Sequence, residues 1–249
     1  MGSVAEARNS LFVRDLGLSD RVVYRLIETR EEKDQLYLMR YRAYRRNELI
    51  PASEAERYGD HYDDAPNALT FGVHIDGELC SSIRLHLLTS EQRMSYTAEL
   101  FSDVLHPRLD QGETFIDPAR FVADPEKARR FPELPYLTLR LAYMACEHFN
   151  VDTGLALVRA GHQRFYRQVF MYETIAEPRQ FPNALVEVGL MASDFRARHD
   201  QVLARFPIMR SSAFERRKLF LRRGERQSSP RGVVTSFDRA STASTVPNS

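Results

Sequence analysis

The stretch LTFGVHIDGELCSSIRLHL, residues 69–87, sets Leu69, Phe71, Val73 and Ile75 in strict alternation, interrupts them with Asp76-Gly77, and resumes the alternation at Ile83, Leu85 and Leu87. Apolar residues at every second position line one face of a strand, and Asp-Gly suits a two-residue turn with both central residues at positive φ. Residues 69–87 are therefore expected to form an antiparallel hairpin. Toward the N-terminus, residues 22–29 are rich in β-branched and aromatic side chains and read as a strand. Leu36, Met39 and Ala43 then recur at helical spacing to about Arg46. A polar loop over 47–67 leads into the hairpin. Toward the C-terminus the pattern predicts a short helix and loop over 90–110, a strand over 114–122, and a helix from about 134 to 149 with Pro135 in its first turn. A continuous apolar strand over 154–158 follows, then a helix over 161–170, closing strands over 171–176 and 184–191, and a last helix over 194–206. This order predicts an α/β fold of the mixed (α+β) kind, one sheet with helices on both faces and antiparallel edge strands. No G-x-G-x-x-G follows a strand and no G-x-x-x-x-G-K-[ST] occurs, which removes the main sequence support for dinucleotide and P-loop chemistry.

With 249 residues, 43% of them hydrophobic, the chain can bury a full core, so wholesale disorder is excluded. The 35 Lys and Arg nearly balance the 34 Asp and Glu, but unevenly along the chain. Residues 210–226 carry seven basic and two acidic groups, leaving residues 1–209 mildly acidic, which argues against a nucleic-acid-binding body. Residues 1–20 are expected to be a flexible arm, 21–206 the folded domain, 207–226 a basic C-terminal segment, and the Ser/Thr-rich stretch 227–249 a disordered tail. No membrane span and no signal-peptide pattern are visible, so a cytoplasmic location is expected. Cys80 and Cys146 are expected to be buried thiols, and no Cys/His cluster has metal-ligand spacing, so no metal is expected.

Two sets of residues have the chemistry of a site. Arg40, Asp60, Asp63, Arg84, Asp117 and Arg120 are three cations and three anions from separate segments. They are either scattered surface ion pairs or a convergent network that neutralises itself in a buried place. His162, Tyr166 and Phe170, spaced by four, share one helix face, either as a core stripe or with Tyr166 offering a phenolic proton.

The order of elements, with Arg164-Phe165-Tyr166-Arg167-Gln168-Val169-Phe170, resembles the final block of GNAT-fold acyltransferases. Arg40-Tyr41-Arg42-Ala43-Tyr44, Asp60-His61-Tyr62-Asp63, Arg84-Leu85 and Asp117-Pro118-Ala119-Arg120-Phe121 are similar, in order and approximate spacing, to the signatures of acyl-homoserine-lactone autoinducer synthases. Within that group the chain resembles the FeeM-type N-acyl amino acid synthases. Where the lactone synthases carry tryptophans it has Ile50 and Ile116, and it contains no tryptophan at all. The family glutamate is replaced by the shorter Asp117, and the glycine usual after the helix tyrosine by Val169.

The resemblance implies a GNAT-like enzyme that moves a fatty acyl group from a thioester to the α-amine of an amino acid. Coenzyme A-dependent relatives bind pyrophosphate with a glycine-rich turn after the fourth strand; residues 122–131, VADPEKARRF, have no glycine. The expected donor is therefore acyl-phosphopantetheine on an acyl carrier protein, with acyl-CoA as the alternative and no resident cofactor. Expected partners are the carrier protein and the amino acid acceptor. Asp117 is the expected base, oriented by Arg120, with proton transfer direct or through water. Tyr166 is expected to protonate the thiolate, and backbone N–H groups near Phe121 and Val122 to hold the oxyanion. Arg40, Tyr44, Asp60, Asp63, Arg84 and His162 complete the expected substrate site, with Arg40 and Arg84 either bracing the aspartates or binding the acceptor carboxylate. A lactone synthase, an acetyl-CoA acetyltransferase and a non-catalytic acyl-sensing module are the competing functions.

Overall fold

The structure, a computed structural model, describes residues 21–180 and 186–221; the expected arm at 1–20 and tail at 227–249 lie outside the described residues. Strand β1 (Val22–Leu26) runs antiparallel to β2 (Ala68–Ile75), and β2 to β3 (Glu78–Leu88). Asp76 and Gly77 join the hairpin with φ of 54° and 83°, the positive pair the turn requires. Between β1 and β2 lies helix α1 (Arg30–Arg46). It begins in a capping box, where Thr29 Oγ1 accepts from the Glu32 N–H and the Glu32 carboxylate accepts from the Thr29 N–H.

After β3 come α2 (Tyr96–Leu100) and α3 (Ser102–Asp110), then β4 (Phe115–Ala123), α4 (Pro125–Arg130) and the long α5 (Leu134–His148). Strand β5 (Thr153–Val158), α6 (Ala160–Phe170), β6 (Glu173–Gln180), β7 (Glu187–Asp194), α7 (Phe195–Arg205) and α8 (Ala213–Phe220) complete the chain. The seven strands form one mixed sheet in the order β1-β2-β3-β4-β5-β7-β6.

Among the described residues only the β4–β5 pair is parallel. It is joined at just two residue pairs, Phe115 with Thr153 and Ile116 with Gly154, beyond which the strands separate. Gly154 lets Tyr172 approach the seam, because a Cβ at that position would lie 2.5 Å from Tyr172 Oη and displace the ring.

Alternation on the strands builds a core on each face of the sheet. Phe71, Val73, Ile83, Leu85 and Ile116 pack with Leu137, Leu141 and Met144 of α5. On the other face Leu88, Phe115, Leu155 and Leu190 pack with Ala98, Phe101, Leu105 and Leu109 of α2 and α3. Cys80 and Cys146 are buried free thiols.

The closing strands lie a few residues further along than the sequence pattern suggests. The reason is the end of α6: Met171 takes a left-handed conformation (φ 56°), and the chain uses Met171 and Tyr172 to turn before β6 starts. Val169 stays inside the helix, buried. Two helices, α4 and α8, lie where the apolar spacing of the sequence predicts none. Helix α8 is anchored by Leu219 and Phe220 in the α5 core and by Glu215, which accepts from Arg140 Nη1 and Nη2 at 2.6 and 2.9 Å. Arg140 also donates to the carbonyls of Ile208 and Arg210. Among the described residues no helix is long and apolar enough to cross a membrane.

Candidate active site

The Asp60-His61-Tyr62-Asp63 segment folds as a single 3-10 turn, capped by its own carboxylates: Asp60 Oδ1 accepts from the Tyr62 N–H and Asp63 Oδ2 from the Asp60 N–H. This cap turns both carboxylates toward the sheet, where they meet three arginines from three elements. Arg40, on α1, donates to both oxygens of Asp63 at 2.8 and 2.9 Å. Arg84, on β3, reaches Asp60 at 2.5 Å and Asp63 at 2.9 Å. Arg120, on β4, donates from Nε to Asp60 at 2.9 Å and again from Nη2. Five of the six charges thus form one chain, Arg40–Asp63–Arg84–Asp60–Arg120.

The Arg40, Arg84 and Asp63 side chains are 0%, 1% and 3% exposed, so these are not surface pairs. Arg40 and Arg84 brace the aspartates. Burial alone would raise the Asp60 and Asp63 carboxyls, but the neighbouring arginines outweigh it and hold both below the usual carboxylate range.

Arg120 reaches this chain through an unusual backbone. Its φ is 51°, at a bulge where the β3–β4 register shifts between Ser82 and Arg84. The guanidinium stacks over Tyr58, with Tyr44 behind it at centroid distances of 4.9 and 5.8 Å, and donates to Tyr58 Oη at 3.3 Å. It goes to Asp60; the expectation that it orients Asp117 finds no hydrogen bond between the two among the described residues.

Asp117 stands apart, fully buried and across the ladder from His86. Thr97 Oγ1 donates to its Oδ1 at 2.9 Å, and Ser95 is a second hydroxyl neighbour. Burial raises its pKa to about 6, against the pull of Ser95, Thr97 and the Arg84 charge. A carboxyl near 6 is ionised for most of its time at neutral pH and is still basic enough to accept a proton.

A cleft of ≈ 690 Å³ passes through the gap where β4 leaves β5. Tyr44, Tyr58, Arg84, Tyr96, Thr97 and Arg120 line one end, and Pro135, Leu139, His162, Phe165 and Tyr166 the other. Phe121 and Val122 edge it from β4, Ala156 to Val158 from β5, and Ile50 from the loop after α1. Asp60, Asp63, Arg40 and Asp117 do not line the cleft.

Tyr166 also borders a narrow apolar slot of ≈ 30 Å³ with Ala142, Cys146 and Phe170. Burial pushes its phenol up to about 12, so it stays protonated. Burial, with Arg159 nearby, lowers His162, leaving it neutral at pH 7. The start of α4, in the stretch where a pyrophosphate turn would fall, is closed by the chain itself: Asp124 Oδ1 accepts from the Glu126 and Lys127 N–H groups.

Sequence reasoning did not single out Tyr58, Ser95, Tyr96, Thr97 or Tyr172. Ser95 carried a local signal, since it caps α2 through the Ala98 N–H; the others enter only through contacts distant in sequence. Among the described residues no cluster of His, Cys, Asp and Glu is arranged to hold a metal.

The family described as N-acyl amino acid synthase FeeM matches residues 35–194. No curated protein matches the sequence. Among solved structures the chain is similar to FeeM, an N-acyl amino acid synthase from uncultured soil microbes, with TM-score 0.60 and 17% identity over 74% of this chain and 97% of that one. It is also similar to BjaI, a CoA-dependent acyl-homoserine lactone synthase (TM-score 0.55, 14% identity, 78% and 91% covered), and to the AHL synthase LasI (TM-score 0.54, 11% identity, 70% and 90% covered). At such identities the structural likeness carries the fold, which is GNAT-like, and the family match carries the kinship. The chain belongs to the N-acyl amino acid synthase FeeM family and is an N-acyltransferase enzyme.

Proposed function

We propose that the protein transfers a fatty acyl group from the phosphopantetheine thioester of an acyl carrier protein to the α-amine of an amino acid. The observation that carries this reading is the cleft through the β4–β5 gap, which offers a charged, tyrosine-rich end and an apolar end on either side of one strand edge. The thioester arm lies along that edge with its acyl chain directed past Tyr166 and Leu139 along the apolar end of the cleft. The acceptor occupies the Arg84, Arg120 and Tyr96 end.

Both reactants are then held against one strand, which converts a bimolecular encounter into an oriented one. Beyond Ile116 the edge of β4 has left β5, and N–H groups around Phe121 and Val122 are suited to the developing oxyanion. Asp117 is the base for the ammonium, and Tyr166 gives its phenolic proton to the departing thiolate. Arg40, Arg84, Arg120, Asp60 and Asp63 keep the acceptor end rigid. A carrier-protein donor is supported by the self-capped start of α4, where Asp124 and Glu126 would face the phosphates of coenzyme A.

The test is to incubate the purified full chain with acyl carrier protein thioesters or acyl-CoA and a pool of amino acids, with S-adenosylmethionine as a third acceptor, and read products by mass spectrometry. Amide-linked acyl amino acids, formed faster from the carrier protein, are expected. Products from S-adenosylmethionine alone, or no amide from any amine, would overturn the proposal. Faster turnover with acyl-CoA would overturn the donor assignment.

A further inference from the structure

Asp117 is sealed from the cleft that it has to serve. It is 0% exposed, and beside it Thr97 forms the wall, lining the cleft while its Oγ1 donates to Asp117 Oδ1 at 2.9 Å. Thr97 is itself 1% exposed and fixed in the first turn of α2 by the Ser95 cap. Between an ammonium seated in the cleft and the carboxylate stands Thr97, with its hydroxyl held on Asp117. A hydroxyl can accept one proton while donating another.

We infer that Thr97 is the catalytic group through which Asp117 deprotonates the acceptor amine, a relay in which the threonine hydroxyl spans the distance left by the short aspartate side chain. This inference rests on the proposed acyl transfer with Asp117 as base. A proton leaves the ammonium for Thr97 Oγ1 as the Thr97 hydroxyl proton moves to Asp117 Oδ1. The freed nitrogen lone pair forms the N–C bond, and the C–S bond breaks as the tetrahedral intermediate collapses. The thiolate takes the Tyr166 proton, which solvent replaces; the second nitrogen proton leaves to solvent, and Asp117 returns its proton through Thr97 to solvent, so that one net proton is released per turnover. A water-mediated path has no need of the Thr97 hydroxyl, and the two are separable.

The experiment compares Thr97→Val, Thr97→Ser and Asp117→Asn by steady-state kinetics across pH, with the Asp117 carboxyl titrated by infrared difference spectroscopy. Thr97→Val is nearly isosteric and lacks the hydroxyl. It is expected to lower kcat by about 10²-fold while KM changes by less than about threefold, and to move the acid limb of the rate profile upward together with the carboxyl titration. Thr97→Ser keeps the relay and should stay within about fivefold of the parent. An active Asp117→Asn would overturn the base assignment itself. An inactive Asp117→Asn beside a fully active Thr97→Val would overturn only the relay. Should Thr97→Val fail to fold, Thr97→Ala with and without Asp117→Glu decides. The longer carboxylate then reaches the cleft directly, and the double variant is expected to regain at least about tenfold in kcat over Thr97→Ala; no recovery would overturn the relay.

Discussion

Asp117 and Asp60 are carboxyls in one fold pushed in opposite directions, and the signs lead to opposite stability effects. The native Asp117 carboxyl, near 6, holds its proton more tightly than an unfolded aspartate near 3.8. Its contribution is therefore fully present at low pH and declines as pH rises through 6. Replacing it with asparagine removes a buried charge. Asp117→Asn should raise the urea unfolding free energy by roughly 1–3 kcal/mol at pH 8 and leave it unchanged near pH 4, while lowering kcat/KM by about 10²-fold or more. Asp60 and Asp63, held below their ordinary values, stabilise the native state above that range and cease to do so in acid. Arg40→Met strips Asp63 of its bidentate partner in a buried place and is expected to cost about 3–5 kcal/mol, measured by the same denaturation. The charged residues were legible in the sequence because each sits in a short local motif. Thr97 was not, since a lone hydroxyl at a helix start looks like any other.

At the level of elements, the hairpin at 69–87 and the helix at 30–46 were readable because period-two alternation, Asp76-Gly77 and helical spacing are all local. Helix α4 is six residues long and has no buried side chain, so periodicity had nothing to register. Helix α8 is basic and weakly patterned; what holds it is Glu215 against Arg140, 75 residues away in sequence. The end of α6 went against the usual residue choice, with a non-glycine at φ 56° in Met171. Met171→Gly removes the left-handed penalty outside the helix body and should stabilise the protein by about 0.5–1 kcal/mol, read as a rise in unfolding midpoint without a change in kcat.

For the whole molecule, the segment after α7 is part of the core and not an appendage. Leu219 and Phe220 are about 5% exposed, and Arg140 ties the carbonyls of residues 208 and 210 to Glu215. Arg216 pairs with Glu147, leaving Arg217 and Lys218 as the outward basic groups of α8; Arg222 and Arg223 lie outside the described residues. Glu215→Ala leaves Arg140 buried without its carboxylate and should cost about 3 kcal/mol or more, with a matching loss in a chain ending at residue 211. The convergence of five charges from one helix, two strands and a 3-10 turn is a property of this scale, visible in sequence only as motifs awaiting a common place.

The two-pair seam between β4 and β5 also determines how deuterium enters the sheet. Amides on the inner edges of these strands past Ile116 and Gly154 lack a ladder partner across the gap and should exchange orders of magnitude faster than those facing β3 or β7. A thioester arm laid along that edge would slow exchange there and almost nowhere else, so occupancy can be followed with an unreactive donor analogue before a single turnover takes place.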